Sequence, residues 1–168
     1  MQDLQIQIKV TQIRNDFMEE MKNDTPPVQT KNDCLLLDIE IIDDQHRKIF
    51  KILDRLVVLR DNKDNTSNLL KVIEDLVDYS CIHFQTEEEL MREANSPNIK
   101  EHIVQHHFFI DKINEYRIAY NYKNKVLANQ MVIFVRKWIL SHIIEVDGKY
   151  VDSIQKYLNE VGLESKSK

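Results

Sequence analysis

Residues 99–110, IKEHIVQHHFFI, set three histidines within six positions of a run whose apolar residues otherwise fall at helical spacing. At about 100° per residue, His102 and His106 share one face a turn apart, whereas His107 points elsewhere. Such an i, i+4 pair can aim two imidazoles at one point, and neutral imidazole is a ligand for Zn, Cu, Fe or Ni. A lone HxxxH pair is a weak signal, and a solitary core histidine is the ordinary reading of any one of them. The choice turns on whether other stripes of the chain carry ligand-type residues to the same place.

Four helical patterns follow residue 40. The first opens at DDQH, with Asp43 or Asp44 as N-cap, and carries His46, Ile49, Phe50, Leu53, Val57 and Arg60 along one stripe. The second begins at Asn65 or Thr66 and runs through Leu69, Ile73, Leu76, Ser80, His83, Glu87 and Leu90 until NSP at 95–97 ends it. Ile99, His102, His106, Ile110, Ile113 and Tyr120 define the third. Leu127, Met131, Phe134, Trp138, His142 and Glu145 define the fourth. Connections of a few residues make consecutive helices antiparallel neighbours. The chain is therefore expected to be all-α, an up-down-up-down antiparallel four-helix bundle over residues 31–168 with an N-terminal extension at 1–30. Within that extension Ile6, Val10, Ile13, Phe17 and Met21 fit a helix stripe better than a strand, and TPPVQT at 25–30 reads as a linker. The extension is expected either to pack on the bundle or to join two subunits into a homo-oligomer; a solvated tail is the alternative.

Each of the four stripes places ligand-type residues where a bundle interior should hold aliphatic ones: His46; His83 and Glu87; His102 and His106; His142. Unpaired, these groups would each cost about 1–3 kcal/mol on burial. A shared metal site removes that cost. Asp147 follows His142 by five residues, an offset of about 140° in a regular helix, so it needs a distortion to face inward. Gly148 directly after it could permit the bend. Five imidazoles and two carboxylates are too many for one tetrahedral zinc, but two octahedral ions bridged by both carboxylates use all of them. A binuclear site is the expectation.

Composition narrows the remaining classes. With 168 residues, two glycines, three prolines, 42% hydrophobic and 30% charged residues, the chain suits one helical domain. A net charge of −5 without a basic, aromatic-interleaved cluster argues against nucleic acid as a partner. No apolar run reaches the roughly 18 residues of a membrane span, and MQDLQIQIKV lacks the regions of a signal peptide, so the expected location is cytoplasmic. Cys34 and Cys81 form no CxxC and are expected to be reduced thiols.

The segments IDDQHRKIF, HFQTEEELM, HIVQHHFF and WILSHIIEVDGKY, with the Pro97-to-His102 spacing, resemble the hemerythrin family in its bacterial single-domain form, over roughly residues 36–155. All seven ligand positions of the family pattern carry the expected residue types. The resemblance implies one iron on His102, His106 and His142, a second on His46 and His83, and Glu87 and Asp147 bridging them with an oxo or hydroxo group. It implies dioxygen as the ligand at an open position of the second iron. Phe50, Phe84, Trp138, Ile139, Ile143 and Tyr150 match apolar or aromatic positions around the family's oxygen pocket, although several would serve equally as core. The chain departs from the pattern in two places. CLLLDIEIIDDQH lacks the tryptophan that many bacterial relatives carry before the first ligand helix, and the N-terminal 30 residues exceed the usual length. His107 has no ligand role and is expected at the surface.

The resemblance implies reversible, non-enzymatic dioxygen binding for storage, delivery or sensing. A di-iron enzyme acting on peroxide or nitric oxide would share every ligand and is the alternative. An iron-holding or interaction bundle without gas chemistry is disfavoured by the intact set of seven.

Overall fold

A computed structural model describes residues 36–61, 66–121 and 126–166. The N-terminal extension, its linker and Cys34 lie outside the described residues, as do the centres of the first and third connections. Five α-helices follow in order: α1 (Glu40–Asp61), α2 (Thr66–Glu93), α3 (Ile99–Asn121), α4 (Leu127–Ser141) and α5 (Val151–Lys166). The first four form the expected bundle. α1 packs against α2 and α4, and α3 packs against the same two, which closes a ring of four with sequential neighbours adjacent.

The helix starts differ from the sequence reading in one place. α1 begins at Glu40, so neither Asp43 nor Asp44 is its N-cap. A turn at Asp38, φ 58°, folds the entry segment back. Asp43 is buried within the first helical turn, where its Oδ1 accepts the Leu37 N–H at 2.8 Å. The carboxylate thus satisfies a backbone donor of the incoming strand of chain rather than of the helix itself. At the other end of α2, Asn95 adopts φ 52° in NSP, the left-handed conformation that commonly terminates helices.

The fourth pattern is interrupted. After Ser141 the chain makes a π-helical turn, His142–Val146, then a 3-10 turn, Asp147–Lys149, before α5. α5 was not legible as a separate element. It packs on α2 and on the 3-10 turn, and its Ile154 is fully buried.

The interior is layered. One large apolar cluster spans the bundle and includes Leu56, Ile73, Leu76, Phe109, Ile113, Met131 and Phe134. A second, smaller one at the opposite end joins Ile39, Ile42, Met91, Tyr150 and Ile154. On α1 and α2 the ligand-type residues fall between the two: His46 lies between Ile42 and Ile49, His83 and Glu87 between Tyr79 and Met91. Among the described residues, no helix is long and apolar enough to cross a membrane.

Candidate metal centre

The bundle geometry brings all seven ligand-type residues together. Glu87, His102, His106 and His142 offer ligand atoms within 4.8 Å of one another, and His46, His83, Glu87 and Asp147 form a second group by the same measure. Every one of the seven is at most 2% exposed. His107, one residue from His106, faces solvent.

Local structure explains how Asp147 joins. An α-helical continuation would leave it well around the helix from His142. In the π-helical turn the Asp147 N–H donates to the His142 and Ile143 carbonyls, and the i+5 bond stacks residue 147 over residue 142. Asp147 Oδ1 then lies 3.1 Å from His142 Nε2. The distortion is therefore placed before Asp147, not at Gly148, which has no positive φ. The same turn removes Glu145 from the inward stripe and leaves it exposed.

The two carboxylates each span both groups. Glu87 Oε2 lies 3.6 Å from His83 Nε2 on one side, and 3.3 and 3.0 Å from the Nε2 atoms of His102 and His106 on the other. Asp147 Oδ2 lies 3.3 Å from His46 Nε2, and its Oδ1 approaches His142 and His102 at 3.1 and 3.6 Å. Five imidazole edges thus converge on two carboxylates. The His106 and His142 Nε2 atoms and both Asp147 oxygens have no hydrogen bond of good geometry among the described residues, despite these short approaches. Lone pairs aimed at a common interior, rather than at one another, are what cation ligands require.

The electrostatics lead to the same need. Burial pushes the His83 imidazole down to about 3, and also holds His102 and His142 below the usual histidine range, so these rings are neutral donors. Burial pushes Asp147 well above the ordinary carboxylate range, with the charge of Glu87 adding to it. Burial acts against Glu87 as well, but the approach of His83 and the hydrogen-bond contacts of His102 and His106 hold it well below that range, and His106, caught between Glu87 and Glu88, is itself raised despite its burial. Two carboxylates a few ångströms apart cannot both ionise in this interior without positive charge between them. The donor set of imidazole nitrogen and carboxylate oxygen fits iron.

Aromatic rings wall the imidazoles. Phe84 stacks on His106 with centroids 3.8 Å apart, and Trp138 stacks on His142 at 4.1 Å. Ile139 and Ile143 are buried beside Trp138 in the large cluster, while Phe50 is half-buried against it. Tyr150 instead belongs to the small cluster, and its hydroxyl donates to Glu87 Oε1 at 2.6 Å. Tyr79, absent from the sequence-based pocket, stacks on His83 at 5.0 Å. Sequence reasoning also missed the groups behind the imidazoles. Gln45 Oε1 lies 2.8 Å from His83 Nδ1, and Glu88 Oε1 lies 3.0 Å from His106 Nδ1. Each neighbours a ligand-type residue in the chain and so falls off the inward stripe, which is where periodicity looks.

A four-helix bundle with two His/carboxylate groups sharing a carboxylate in its interior defines a class of helical metal-binding proteins. The hemerythrin HHE cation binding domain matches residues 37–153, and the chain belongs to that family. It is 33% identical over 135 residues to a bacteriohemerythrin of Stenotrophomonas maltophilia, covering 80% of this chain and 87% of that one. A bacteriohemerythrin of Clostridium acetobutylicum is 31% identical over 120 residues, covering 69% of this chain and 93% of the relative. The crystal structure of a wild-type hemerythrin superposes with a TM-score of 0.58 at 26% identity, covering 68% of this chain and 88% of that one. Membership carries with it a di-iron, oxygen-binding type of protein in general.

Proposed function

We propose that this chain binds dioxygen reversibly at a non-haem di-iron centre, in oxygen storage, delivery or sensing, without catalytic turnover. The observation that carries the reading is the pair of carboxylates, each reaching imidazoles of both groups, inside a buried aromatic shell. In this reading His102, His106 and His142 would hold one iron and His46 and His83 the other, with Glu87 and Asp147 shared between the two.

An iron pair, when bound, would supply the reversible two-electron redox chemistry that dioxygen binding needs. The chain's own residues do the rest. Five imidazole ligands, which carry no negative charge, bring less of it than a carboxylate-rich set would, which favours reversible binding over oxidation of a substrate. The side with two histidines has the fewer protein ligands and would be the one to take a small ligand, while Tyr150 fixes the orientation of Glu87 through its hydroxyl. Phe84, Trp138, Ile139 and Ile143 present buried apolar surface. They exclude the water and anions that would displace a bound gas and leave the centre oxidised.

Absorbance spectra of the reduced protein before oxygen, under oxygen and after its removal test the reading. A spectrum that changes under oxygen and returns when the gas is withdrawn is the expected result, at one oxygen per two irons. Sustained consumption of oxygen, peroxide or nitric oxide with a reductant would replace it with an enzyme. Ile143→Ala should retain iron and oxidise faster in air; an unchanged rate would assign Ile143 to packing alone.

A further inference from the structure

The two sides of the centre are backed by different chemistry. Behind His83 stands a neutral amide. Thr86 donates its hydroxyl to the Ile82 carbonyl at 2.7 Å, which leaves its oxygen to accept Gln45 Nε2 at 3.0 Å. That sequence of donors turns Gln45 Oε1 toward His83 Nδ1. Behind His106 stands a carboxylate. Its Nδ1–H donates to Glu88 Oε1, and Arg92 holds the other oxygen of Glu88 at 2.9 Å across one helical turn. Glu88 is only 18% exposed and Arg92 is 55% exposed, so this chain of contacts runs from solvent to the innermost imidazole. His142 Nδ1, on the same side, is buried with no hydrogen-bond partner among the described residues.

A hydrogen bond to a charged acceptor is roughly twice as strong as one to a neutral acceptor, and it makes the opposite ring nitrogen a better electron-pair donor. From this we infer that Glu88 is a positioning residue for the metal centre, acting through His106 to make the three-histidine side the more electron-rich of the two. Gln45 holds His83 in place without adding charge. The consequence is an asymmetric centre: the metal on His106 is stabilised in its higher oxidation state relative to the metal on His83, and the Glu88–Arg92 pair sets by how much.

The inference rests on the di-iron reading above, and the test separates the two. Glu88→Gln keeps the length and one acceptor oxygen but removes the charge; Gln45→Glu does the converse on the other side. Iron per chain, redox titration followed by absorbance, and the rate of iron extraction by a ferrous chelator are measured on all three proteins. Glu88→Gln should keep two irons and helical content, raise the midpoint potential, and weaken iron retention by about tenfold, the lower end of the effect seen for such outer partners. Gln45→Glu should lower the potential, and it tests the inference independently should Glu88→Gln not fold. A purely geometric role for Glu88 predicts that glutamine rescues both readouts. A wild-type-like potential in Glu88→Gln with two irons bound, or shifts of the same sign in both variants, would overturn the inference while leaving the di-iron centre standing. A wild-type protein without two irons would instead sink the reading beneath it.

Discussion

The large apolar cluster and the polar layer beside it share one bundle interior, yet they are stabilised by opposite means. In the apolar cluster, Leu56, Ile73, Leu76 and Phe134 are fully buried and need only one another, since dispersion and water exclusion have no direction. The polar layer is just as buried, but its members satisfy each other badly. Asp147 is pushed toward protonation by burial and by Glu87, and the Nε2 atoms of His106 and His142 lack aligned hydrogen-bond partners among the described residues. The first region is stabilised by burial alone. The second is a set of ligand-type side chains kept in place by that fold, and a cation would complete it.

Breaking the apolar region should therefore cost stability whatever the metal content. Leu76→Ala removes a fully buried side chain and should lower unfolding free energy by about 2–5 kcal/mol in denaturant titrations, with and without iron. A loss seen only in the iron-loaded protein would mean that the two regions do not divide in this way. Asp147→Ala is expected to behave in the converse manner. It should abolish two-iron loading, yet leave the metal-free protein within about 1 kcal/mol of the wild type, because a carboxylate that burial disfavours is lost along with its contacts. Equal destabilisation of both forms would show that Asp147 supports the fold directly.

The comparison can be sharpened with neighbours in the chain. His106→Ala should reduce iron content by metal analysis, while His107→Ala, one residue away but solvent-facing, should leave it unchanged. Equal losses would mean that proximity in sequence, not helix face, governs loading. Gly148→Ala should have the smallest effect. A Cβ there meets nothing nearer than the Ile143 carbonyl oxygen at 4.0 Å, so both stability, within about 0.5 kcal/mol, and iron content should be retained. Marked loss of iron would return the bend at Asp147 to the glycine.

How much of this was visible in the chain depends on whether a feature obeys a period. The bundle, His46, His83, Glu87, His102, His106 and His142 all follow the 3.6-residue repeat, because a helix fixes which side chains share a face before any partner is known. Asp147 violated the repeat. The residues alone showed that a distortion was required, and they suggested Gly148 for it. Only the tertiary structure put it in the π-helical turn at His142–Val146, where i+5 bonding and packing against the rest of the centre hold residue 147 inward. The separate helix α5 and the attachment of Tyr150 to Glu87 were likewise decided by contacts between distant segments. So were Gln45 behind His83 and Glu88 behind His106, which lie beside the inward stripe, not on it. Local sequence determines the angle at which a side chain leaves its own helix. Which atom it meets there depends on the position of a second helix, and that follows from the packing of the whole interior.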